Sequence, residues 1–223
     1  MAAPIFEFLD EAEFVRDFRP YRDCGKRLFD LAVALALLPV VGPLLLLIMA
    51  LLSISGGRPL FAQTRIGRGG RPFTCWKLRT MVPDAETRLA QILAADPALA
   101  EEWRRHQKLR RDPRVTALGR ILRRLSLDEL PQIWNVLNGT MSLVGPRPIL
   151  PEQAARYEAG RCCAHYHALR PGITGLWQVG PRSAGSFEER AAHDREYYRK
   201  ISLATDLAVL ARTAAVVIRA TGR

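Results

Sequence analysis

The stretch that decides the fold is LAVALALLPVVGPLLLLIMALL, residues 31–52, in which no charged side chain occurs. If this stretch is helical, a rise of about 1.5 Å per residue makes it roughly 33 Å long, enough to cross a bilayer. A domain of this size could hardly surround a helix that is apolar on every side, which disfavours a buried core helix. The sequence therefore predicts a membrane segment.

Two prolines, Pro39 and Pro43, and the glycine Gly42 occupy the middle of this segment. Each proline removes a backbone donor and clashes with the preceding turn. One kink is tolerated in a spanning helix, whereas two prolines about one turn apart favour a sharp bend. We therefore place the predicted membrane bend at Gly42-Pro43.

Basic residues flank the apolar segment on both sides: Arg22, Lys26 and Arg27 precede it, and Arg58, Arg65, Arg68 and Arg71 follow it. Positive charge marks the cytoplasmic side of a membrane segment, and a spanning helix would leave one basic flank outside. A helix that enters, bends and returns keeps both flanks inside. We predict such a re-entrant helix over residues 28–54, with a single spanning helix as the alternative.

The whole chain of 223 residues carries a formal net charge of +11. This charge favours a polyanionic partner, which could be nucleic acid, a membrane surface or a phosphorylated substrate. The positive residues are spread along the chain without a lysine-rich block, and no nucleic-acid-binding motif occurs, so we expect no nucleic-acid partner. The acidic start, IFEFLDEAEF at residues 5–14, is unlike a signal peptide and favours an amphipathic helix.

Adjacent Cys162 and Cys163 lie close in sequence to His165 and His167, which raises the question of a metal site. Their spacing fits no zinc pattern. Reduced thiols in a protein that faces the cytosol are the interpretation we favour.

Beyond the membrane segment the patterns predict a mainly α-helical domain with one small β-hairpin. Two β-type runs, 60–66 and 72–80, flank the turn GRGG. Helical stretches are predicted over 84–111, with a break at Asp96-Pro97, and over 116–125, whose apolar residues recur at helical spacing. A last apolar stripe begins at Leu203; this helix lies either along the membrane interface or against the core.

The stretch LSLDELPQIW, residues 125–134, places Asp128 and Glu129 side by side at a predicted helix start. Two structural interpretations are open. Ser126 and Glu129 have capping-box spacing, or Asp128 is the N-cap and Pro131 occupies the third helical position. Each interpretation gives a task to one acid and none to the other.

A functional interpretation uses both acids. A helix N-terminus attracts anions, and we expect it to lower the pKa of a carboxyl group and keep Asp128 ionised. Arginines one turn upstream could hold a phosphate. Adjacent carboxylates can share a divalent cation or divide the roles of nucleophile and helper.

Two stiff loops each present an arginine. MSLVGPRPILP, residues 141–151, carries Arg147 among three prolines, and Arg170 precedes the turn Pro171-Gly172. A solvated arginine in a structural turn is the alternative for either loop. Fixed arginines on a cleft are what diphosphate recognition requires.

Several motifs together resemble the bacterial sugar transferases, the monotopic phosphoglycosyl transferases. They are KRLFD, KLRTM, DPRVTALGRILRRLSLDELPQIWNVLNGTMSLVGPRP and RPGITGLWQV, in this order from about Lys26 onward. The stretch from Asp84 to Arg111 looks like the branch that transfers hexose-1-phosphate. Some relatives carry further N-terminal membrane helices, which we do not expect here.

The resemblance implies an enzyme that moves hexose-1-phosphate, with galactose or glucose expected, from a UDP-sugar to undecaprenyl (polyprenol) phosphate and releases UMP. It starts exopolysaccharide or O-antigen synthesis. It implies that Asp128 is the nucleophile and a Mg²⁺ ligand, and that Glu129 assists. The phosphate-binding residues that we carry over or infer are Arg123, Arg147, Arg170, Lys77 and Arg79. At the bend, the family's Ser-Pro pair is Gly42-Pro43 here.

The resemblance also implies a monotopic protein on the cytoplasmic face of the bacterial inner membrane, in contact with membrane lipids. We divide the chain into an N-terminal amphipathic segment (1–25), a re-entrant helix (26–55) and a cytosolic catalytic domain with C-terminal interfacial helices (56–223). The alternative functions are a non-enzymatic membrane-anchored scaffold and a transferase that moves a bare sugar and releases UDP. The sequence leaves open whether the chain forms a homodimer.

Overall fold

A computed structural model describes residues 18–54, 56–106, 109, 111–154, 163–180 and 187–218. Most of the predicted N-terminal amphipathic segment and Cys162 lie outside these residues. The helices are α1 (Lys26–Ile54), α2 (Ala85–Ala95), α3 (Pro97–His106), α4 (Ala117–Arg124), α5 (Gln132–Leu137), α6 (Cys163–Ala168), α7 (Leu176–Val179), α8 (Phe187–Lys200) and α9 (Leu203–Ile218). The strands are β1 (Leu60–Ile66), β2 (Pro72–Leu78), β3 (Ser142–Val144) and β4 (Gly172–Thr174).

The predicted fold class, mainly helical with a small hairpin, is confirmed. Strands β1 and β2 pair around a turn in which the Gly67 amide donates to the Arg71 carbonyl. The break at Asp96-Pro97 separates α2 from α3, because the Asp96 carboxylate accepts hydrogen bonds from the amides of Ala98 and Leu99. The sequence did not predict the second sheet, in which β3 and β4 are parallel.

Helix α1 contains both prolines without an interruption of its helical assignment. Since proline has no amide proton, the carbonyls of Leu35 and Pro39, one turn before Pro39 and Pro43, lose their usual helical donors. Residues Tyr21–Ile54 form a continuous helical stretch long and apolar enough to cross a membrane, and only 11% of its most apolar window is buried. This exposure argues against a core helix, and the bend at Gly42-Pro43 stays a prediction.

The chain packs into two compact units. The first unit contains the described residues up to Leu38 together with Thr64–Cys75 and Ile133–Ala214. The second unit contains Pro39–Gln63, Trp76–Gln132 and the described residues from Ala215 onward. The predicted segments 1–25, 26–55 and 56–223 were defined by their relation to a membrane and stay predictions.

The core of the second unit is an apolar cluster on the second half of α1. Ile48, Leu52, Leu78 and Leu122 are buried there. Leu45, Met49, Leu60, Leu118 and Leu127 pack around them. Strand β2 and helix α4 thus pack on the end of the membrane helix, and the residue before Asp128 joins the same cluster.

The first unit is organised around a buried polar network. Asp206 of α9 is fully buried and accepts hydrogen bonds from Tyr21 (2.7 Å), Lys26 (2.7 Å) and Tyr197 (2.6 Å). Asp30 of α1, also buried, accepts from the Ser142 hydroxyl at 2.7 Å. These bonds fasten the start of α1 to α9 and to β3.

Helix α9 presents its apolar stripe outward. Asp206 and Val209 are buried, whereas Leu203 and Leu207 of the predicted stripe are 46% and 51% exposed. Helix α9 therefore lies against the first unit through Asp206 and Val209, and its position along a membrane interface stays a prediction. The polar residue Asp206 takes the inner face because Lys26 and two tyrosines compensate its charge there.

Candidate active site

The two adjacent acids lie on a short turn between α4 and α5. Leu127–Glu129 form a single 3₁₀ turn, and Ser126 before it adopts a left-handed conformation with φ 57°. Among the described residues Ser126 is the one non-glycine with positive φ. Such a conformation is uncommon for a residue with a side chain and is often found near functional sites.

Both capping interpretations of this turn are wrong. The Ser126 side chain makes no capping hydrogen bond, because its left-handed backbone reverses the chain after α4. Helix α5 begins only at Gln132, so Asp128 is not its N-cap and Pro131 immediately precedes the helix. Neither Asp128 nor Glu129 therefore takes part in a predicted helix cap.

The pKa of the Asp128 carboxyl group is raised above its ordinary value. Burial is the main cause and the charge of Glu129 adds to it, whereas Lys77 and Arg123 lower the pKa without offsetting both. Our expectation that a helix start would lower this pKa is wrong. A three-residue turn aligns too few peptide dipoles to compensate for the lost hydration.

Glu129 is paired with Lys77 of β2. The Lys77 ammonium lies 2.9 Å from Glu129 Oε1, and the two side chains are 19% and 21% exposed. Partial burial strengthens such a pair relative to one at the surface. The pair fixes the Glu129 carboxylate beside Asp128 and brings the Lys77 ammonium to the turn. Phosphate binding by Lys77 stays a prediction.

Arg123 is held near the turn by Thr80, the residue two positions after β2. Arg123 Nε donates to Thr80 Oγ1 at 2.9 Å, and the Thr80 carbonyl accepts from the Thr116 amide at 3.0 Å. A Cβ atom on Gly119 would collide with the Thr80 carbonyl. Glycine at this position therefore permits the close approach of α4 that sets the position of Arg123.

Arg79 makes a different contact. Its Nη2 donates to the Leu52 carbonyl at 2.9 Å, near the end of α1. Lysine and arginine side chains often satisfy the last carbonyls of a helix in this way. The observed contact is structural, and phosphate binding by Arg79 stays a prediction.

Arg147 and Arg170 belong to the first unit, where pairing of β3 with β4 brings their loops side by side. The Gly145 amide donates to the Thr174 carbonyl, and the Gly172 amide donates to the Pro146 carbonyl, both at 2.8 Å. A Cβ on either glycine would collide with the opposite backbone. The side-by-side arrangement of the loops depends on these two glycines, of which only Gly172 belongs to a turn predicted from the sequence.

The guanidinium of Arg170 is anchored by a hydrogen bond from Nε to the Gly139 carbonyl at 2.9 Å. Its pKa is lowered by burial and by the positive charges of Arg68 and Arg27. The Arg147 carbonyl accepts a hydrogen bond from Arg190. Convergence of Arg147 and Arg170 with Arg123 on one diphosphate stays a prediction.

The oxygen donors of Asp128 and Glu129 are of the type that Mg²⁺ takes, since this ion binds through one or two carboxylates and substrate phosphates. Burial and the charge of Glu129 raise the pKa of Asp128, and a divalent cation bound at this carboxylate would lower it. No group of three or more potential metal ligands occurs in the described part of the chain. The donor set therefore fits a cation shared with a phosphorylated substrate and not a cage made by protein alone.

The cysteine–histidine alternative for a metal gains no support. His165 packs edge-on against Tyr198 and His167 against Tyr166, with ring centroids 5.1 Å and 5.4 Å apart. Cys162 lies outside the described residues.

Residues 21–220 match the family described as bacterial sugar transferase. The match covers most of the 223-residue chain and contains every residue of the candidate site. The chain belongs to the bacterial sugar transferase family.

Three curated bacterial sugar transferases illustrate the similarity. The chain is 42% identical over 197 residues to the UDP-galactose-lipid carrier transferase of Erwinia amylovora, covering 88% of this chain and 41% of that protein. It is 41% identical over 205 residues to the exopolysaccharide production protein ExoY of Sinorhizobium fredii, covering 92% of this chain and 90% of that protein. It is 41% identical over 208 residues to the UDP-glucose:undecaprenyl-phosphate glucose-1-phosphate transferase of Caulobacter vibrioides, covering 86% and 68%.

The chain thus spans less than half of the Erwinia relative and nearly the whole of ExoY.

Sequence reasoning missed several residues that position this bacterial sugar transferase site. Thr80 and Gly119 orient Arg123, and the Lys26–Asp206 pair fastens the start of α1. Of these residues, only Lys26 has a recognisable sequence signal, because Lys26 and Asp30 have the i, i+4 spacing of a helical ion pair within KRLFD. The partner of Lys26 at 2.7 Å lies 180 residues away, and no local pattern could indicate it.

Proposed function

We propose that this bacterial sugar transferase moves hexose-1-phosphate from a UDP-sugar to polyprenol phosphate, with release of UMP. The curated relatives named for UDP-galactose and UDP-glucose transfer support galactose or glucose as the hexose. A relative named for exopolysaccharide production supports a role in building a lipid-linked glycan.

The observation that carries this proposal is the state of Asp128. Its carboxyl group is partly buried, and it accepts a hydrogen bond from its own backbone amide but from no side chain in the described part of the chain. Lys77 and Arg123 act on the Asp128 carboxylate through their charge, and neither side chain forms a hydrogen bond with it. A partly desolvated carboxylate without a side-chain partner is more reactive as a nucleophile than one held in an ion pair.

The chemistry takes two steps. An oxygen of Asp128 attacks the β-phosphorus of the UDP-sugar, forming an aspartyl–phosphosugar bond while the bond from this phosphorus to the bridging oxygen breaks and UMP leaves. A phosphate oxygen of polyprenol phosphate then attacks the same phosphorus. The bond to Asp128 breaks, the carboxylate is restored, and a polyprenol diphosphosugar forms.

Glu129 serves as the positioning partner in this scheme. Its bond to Lys77 holds the ammonium where it faces the phosphate, and its own charge keeps the Asp128 pKa raised. Mg²⁺, when bound by Asp128 and the substrate diphosphate, would supply neutralisation of phosphate charge.

The arginines extend this site. Arg123 lies in the same unit as Asp128, and Arg147 and Arg170 flank the β3–β4 sheet on adjacent loops. We propose that all three bind the diphosphate, because a planar guanidinium binds two phosphate oxygens at once. Replacing each by lysine should then lower turnover, since a point charge cannot form the paired hydrogen bonds.

The membrane arrangement belongs to the same proposal. Helix α1 exposes apolar side chains along its length, and α9 exposes Leu203 and Leu207. We propose that α1 enters and leaves the cytoplasmic leaflet of the inner membrane, and that α9 lies along its surface. This arrangement would bring Asp128 to the depth of the acceptor phosphate.

A UMP assay tests the function. Purified protein is incubated with a panel of UDP-sugars, with and without polyprenol phosphate, and UMP and UDP are measured separately. Formation of UMP with one UDP-hexose supports the proposal. Release of UDP would indicate transfer of a bare sugar, and release of neither nucleotide would favour the scaffold alternative.

Cysteine labelling tests the topology. Cys24 is exposed just before α1, and Arg71 is exposed after it. In variants that keep Cys24 alone, or carry Arg71→Cys alone, a membrane-impermeant thiol reagent should reach neither site in intact cells and both in inside-out vesicles. Labelling of one site from each side would mean that the helix spans the membrane.

A further inference from the structure

A groove in the second unit lies beside the end of α1 and has no role in the proposed chemistry. Its volume is about 490 Å³, and we call it the Phe61 groove. It is lined almost entirely by apolar atoms, from Met49, Pro59, Leu60, Phe61, Ala62 and Trp76, with the cation Arg58. This volume falls within the range of about 300–1,000 Å³ typical of sites for small organic ligands.

The Phe61 groove shares its walls with the packing around the catalytic turn. Met49 and Leu60 line the groove and also pack in the apolar cluster that contains Leu127, the residue before Asp128. Trp76 lines the groove and precedes Lys77, whose ammonium contacts Glu129. Met49 and Leu60 therefore connect the groove by packed side chains with the residue before Asp128, whereas Trp76 and Lys77 project to opposite faces of β2.

The chemistry of the groove indicates an apolar chain with a negatively charged end. Phe61 is 48% exposed although it is a large aromatic residue, and Arg58 is exposed beside it. An apolar lining with one cation complements a lipid that carries a phosphate. Leu47, Leu51 and Ile54 of α1 are exposed as well, but they lie on the face of the helix opposite Met49 and do not line the groove.

We propose that the Phe61 groove binds the isoprenoid units nearest the phosphate of the polyprenol phosphate acceptor, while Arg58 attracts that phosphate. This inference rests on the proposed function, which requires the acceptor phosphate to reach the Asp128 turn. A methyl-branched, unsaturated chain also has less conformational freedom to lose than a saturated acyl chain. The groove thus selects the acceptor and delivers its phosphate from the membrane side.

The variant Phe61→Ser tests this assignment, because Phe61 is outside the buried cluster and its loss leaves the core intact. Leu207→Ser is the matched control, since Leu207 is an exposed apolar residue of similar exposure on the membrane-facing side of α9. Initial rates are measured with a short-chain isoprenyl phosphate and with long-chain polyprenyl phosphate. The UMP burst without acceptor is measured separately.

We expect Phe61→Ser to raise the KM for the long-chain acceptor about tenfold. This factor corresponds to the lower end of the free energies gained when an aromatic side chain is buried. The KM for the short-chain acceptor and the UMP burst should change little. Arg58→Gln should raise the KM for both acceptors, because both carry the phosphate. Leu207→Ser should leave the ratio of the two KM values unchanged.

Equal KM values of Phe61→Ser and the unaltered protein for the long-chain acceptor would overturn the assignment. If Phe61→Ser keeps these KM values but is no longer retained by membranes, a phospholipid chain occupies the groove. If Phe61→Ser changes the oligomeric state of the protein, a second copy of the chain occupies it. A photoreactive long-chain polyprenyl phosphate distinguishes failure of the groove assignment from failure of the proposed transferase function. If the unaltered protein shows no UMP burst but the probe crosslinks to the segment containing Phe61, the groove assignment stands and the proposed function fails.

Discussion

Asp128 and Asp206 are two carboxylates of the same chain in opposite situations. Asp206 is fully buried and both its oxygens are engaged, one by Tyr21 and Lys26 and the other by Tyr197. Asp128 is only partly buried, yet no described side chain donates a hydrogen bond to it, and burial raises its pKa. The carboxylate that stabilises the fold is satisfied by three side chains, whereas the one we propose as the nucleophile has no side-chain donor and can bond a substrate.

The largest expected effect comes from Asp128→Asn. We expect UMP release to fall by at least about a thousandfold, as when a nucleophile is removed from other enzymes. Thermal stability should be unchanged or higher, because the ionised Asp128 opposes folding. Single-turnover UMP release and a melting curve of the same preparation measure both quantities. Turnover near that of the unaltered protein would refute covalent catalysis by Asp128.

Asp206→Ala should have the opposite profile. Removing one partner of a buried ion pair costs about 3–5 kcal/mol, because Lys26 is left charged without its main partner. We expect a large loss of thermal stability, with normal UMP release by the protein that remains folded.

The double variant Lys26→Met/Asp206→Leu is the control for Asp206→Ala, since it removes both charges and should recover much of the stability. If Asp206→Ala melts like the unaltered protein, the network does not fasten α1.

Glu129→Gln distinguishes a positioning role from a capping role. The change keeps the shape of the side chain and removes the charge that holds Lys77, so we expect the turnover number to fall about a hundredfold. Lys77→Met should have a comparable effect, and Lys77→Arg a smaller one because it keeps the positive charge. Steady-state rates at saturating UDP-sugar measure these changes, and full activity of Glu129→Gln would leave Glu129 without a catalytic role.

The pH dependence should reflect the raised pKa of Asp128. The nucleophile must be ionised, so kcat/KM should fall as pH decreases through this pKa, at a higher pH than for an ordinary aspartate. Stability should change in the opposite direction, because the folded state holds the proton more tightly than the unfolded state does. The stabilisation is absent at neutral pH and grows as pH falls through the folded pKa.

Arg123→Gln sharpens the pH prediction. Arg123 lowers the pKa of Asp128, so its removal should move the acidic limb of the pH–rate profile further upward. An unmoved limb would show that another group controls it.

The smallest effect is expected for Gly42→Ser, which alters neither carboxylate. No atom outside its own helix backbone lies within 4 Å of a Cβ placed on Gly42, so a serine side chain fits. Its hydroxyl can bond a carbonyl of the preceding turn, and the change in stability should stay below about 1 kcal/mol. Activity in membranes should be retained. A severe loss of activity would mean that the glycine itself is required at the bend.

Local patterns sufficed wherever a structure depends on neighbours in sequence. The hairpin was predicted from two β-type runs around GRGG, and α2 and α3 from the break at Asp96-Pro97. The apolar composition of 31–52 predicted α1. The motifs around Asp128 and Glu129 also identified the family before any distance was known, because they preserve order and spacing over much of the chain.

The tertiary structure alone decided which contacts each acid makes. No sequence pattern near Asp128 indicated that Lys77 forms its ion pair with Glu129 and not with Asp128. None indicated that Thr80 orients Arg123. The parallel pairing of two three-residue strands, β3 and β4, was equally hidden, since it joins segments about thirty residues apart through backbone bonds.

The sequence by itself determined the long apolar helix α1, the chemical groups of the candidate site and their family. The tertiary structure decided the sign of the Asp128 pKa shift and which face of α9 is buried. The physical reason is that charge compensation depends on distance and burial. Lys26 lies beside Asp206 across 180 residues of chain, whereas at Asp128 the charges of Lys77 and Arg123 do not offset burial and the charge of Glu129.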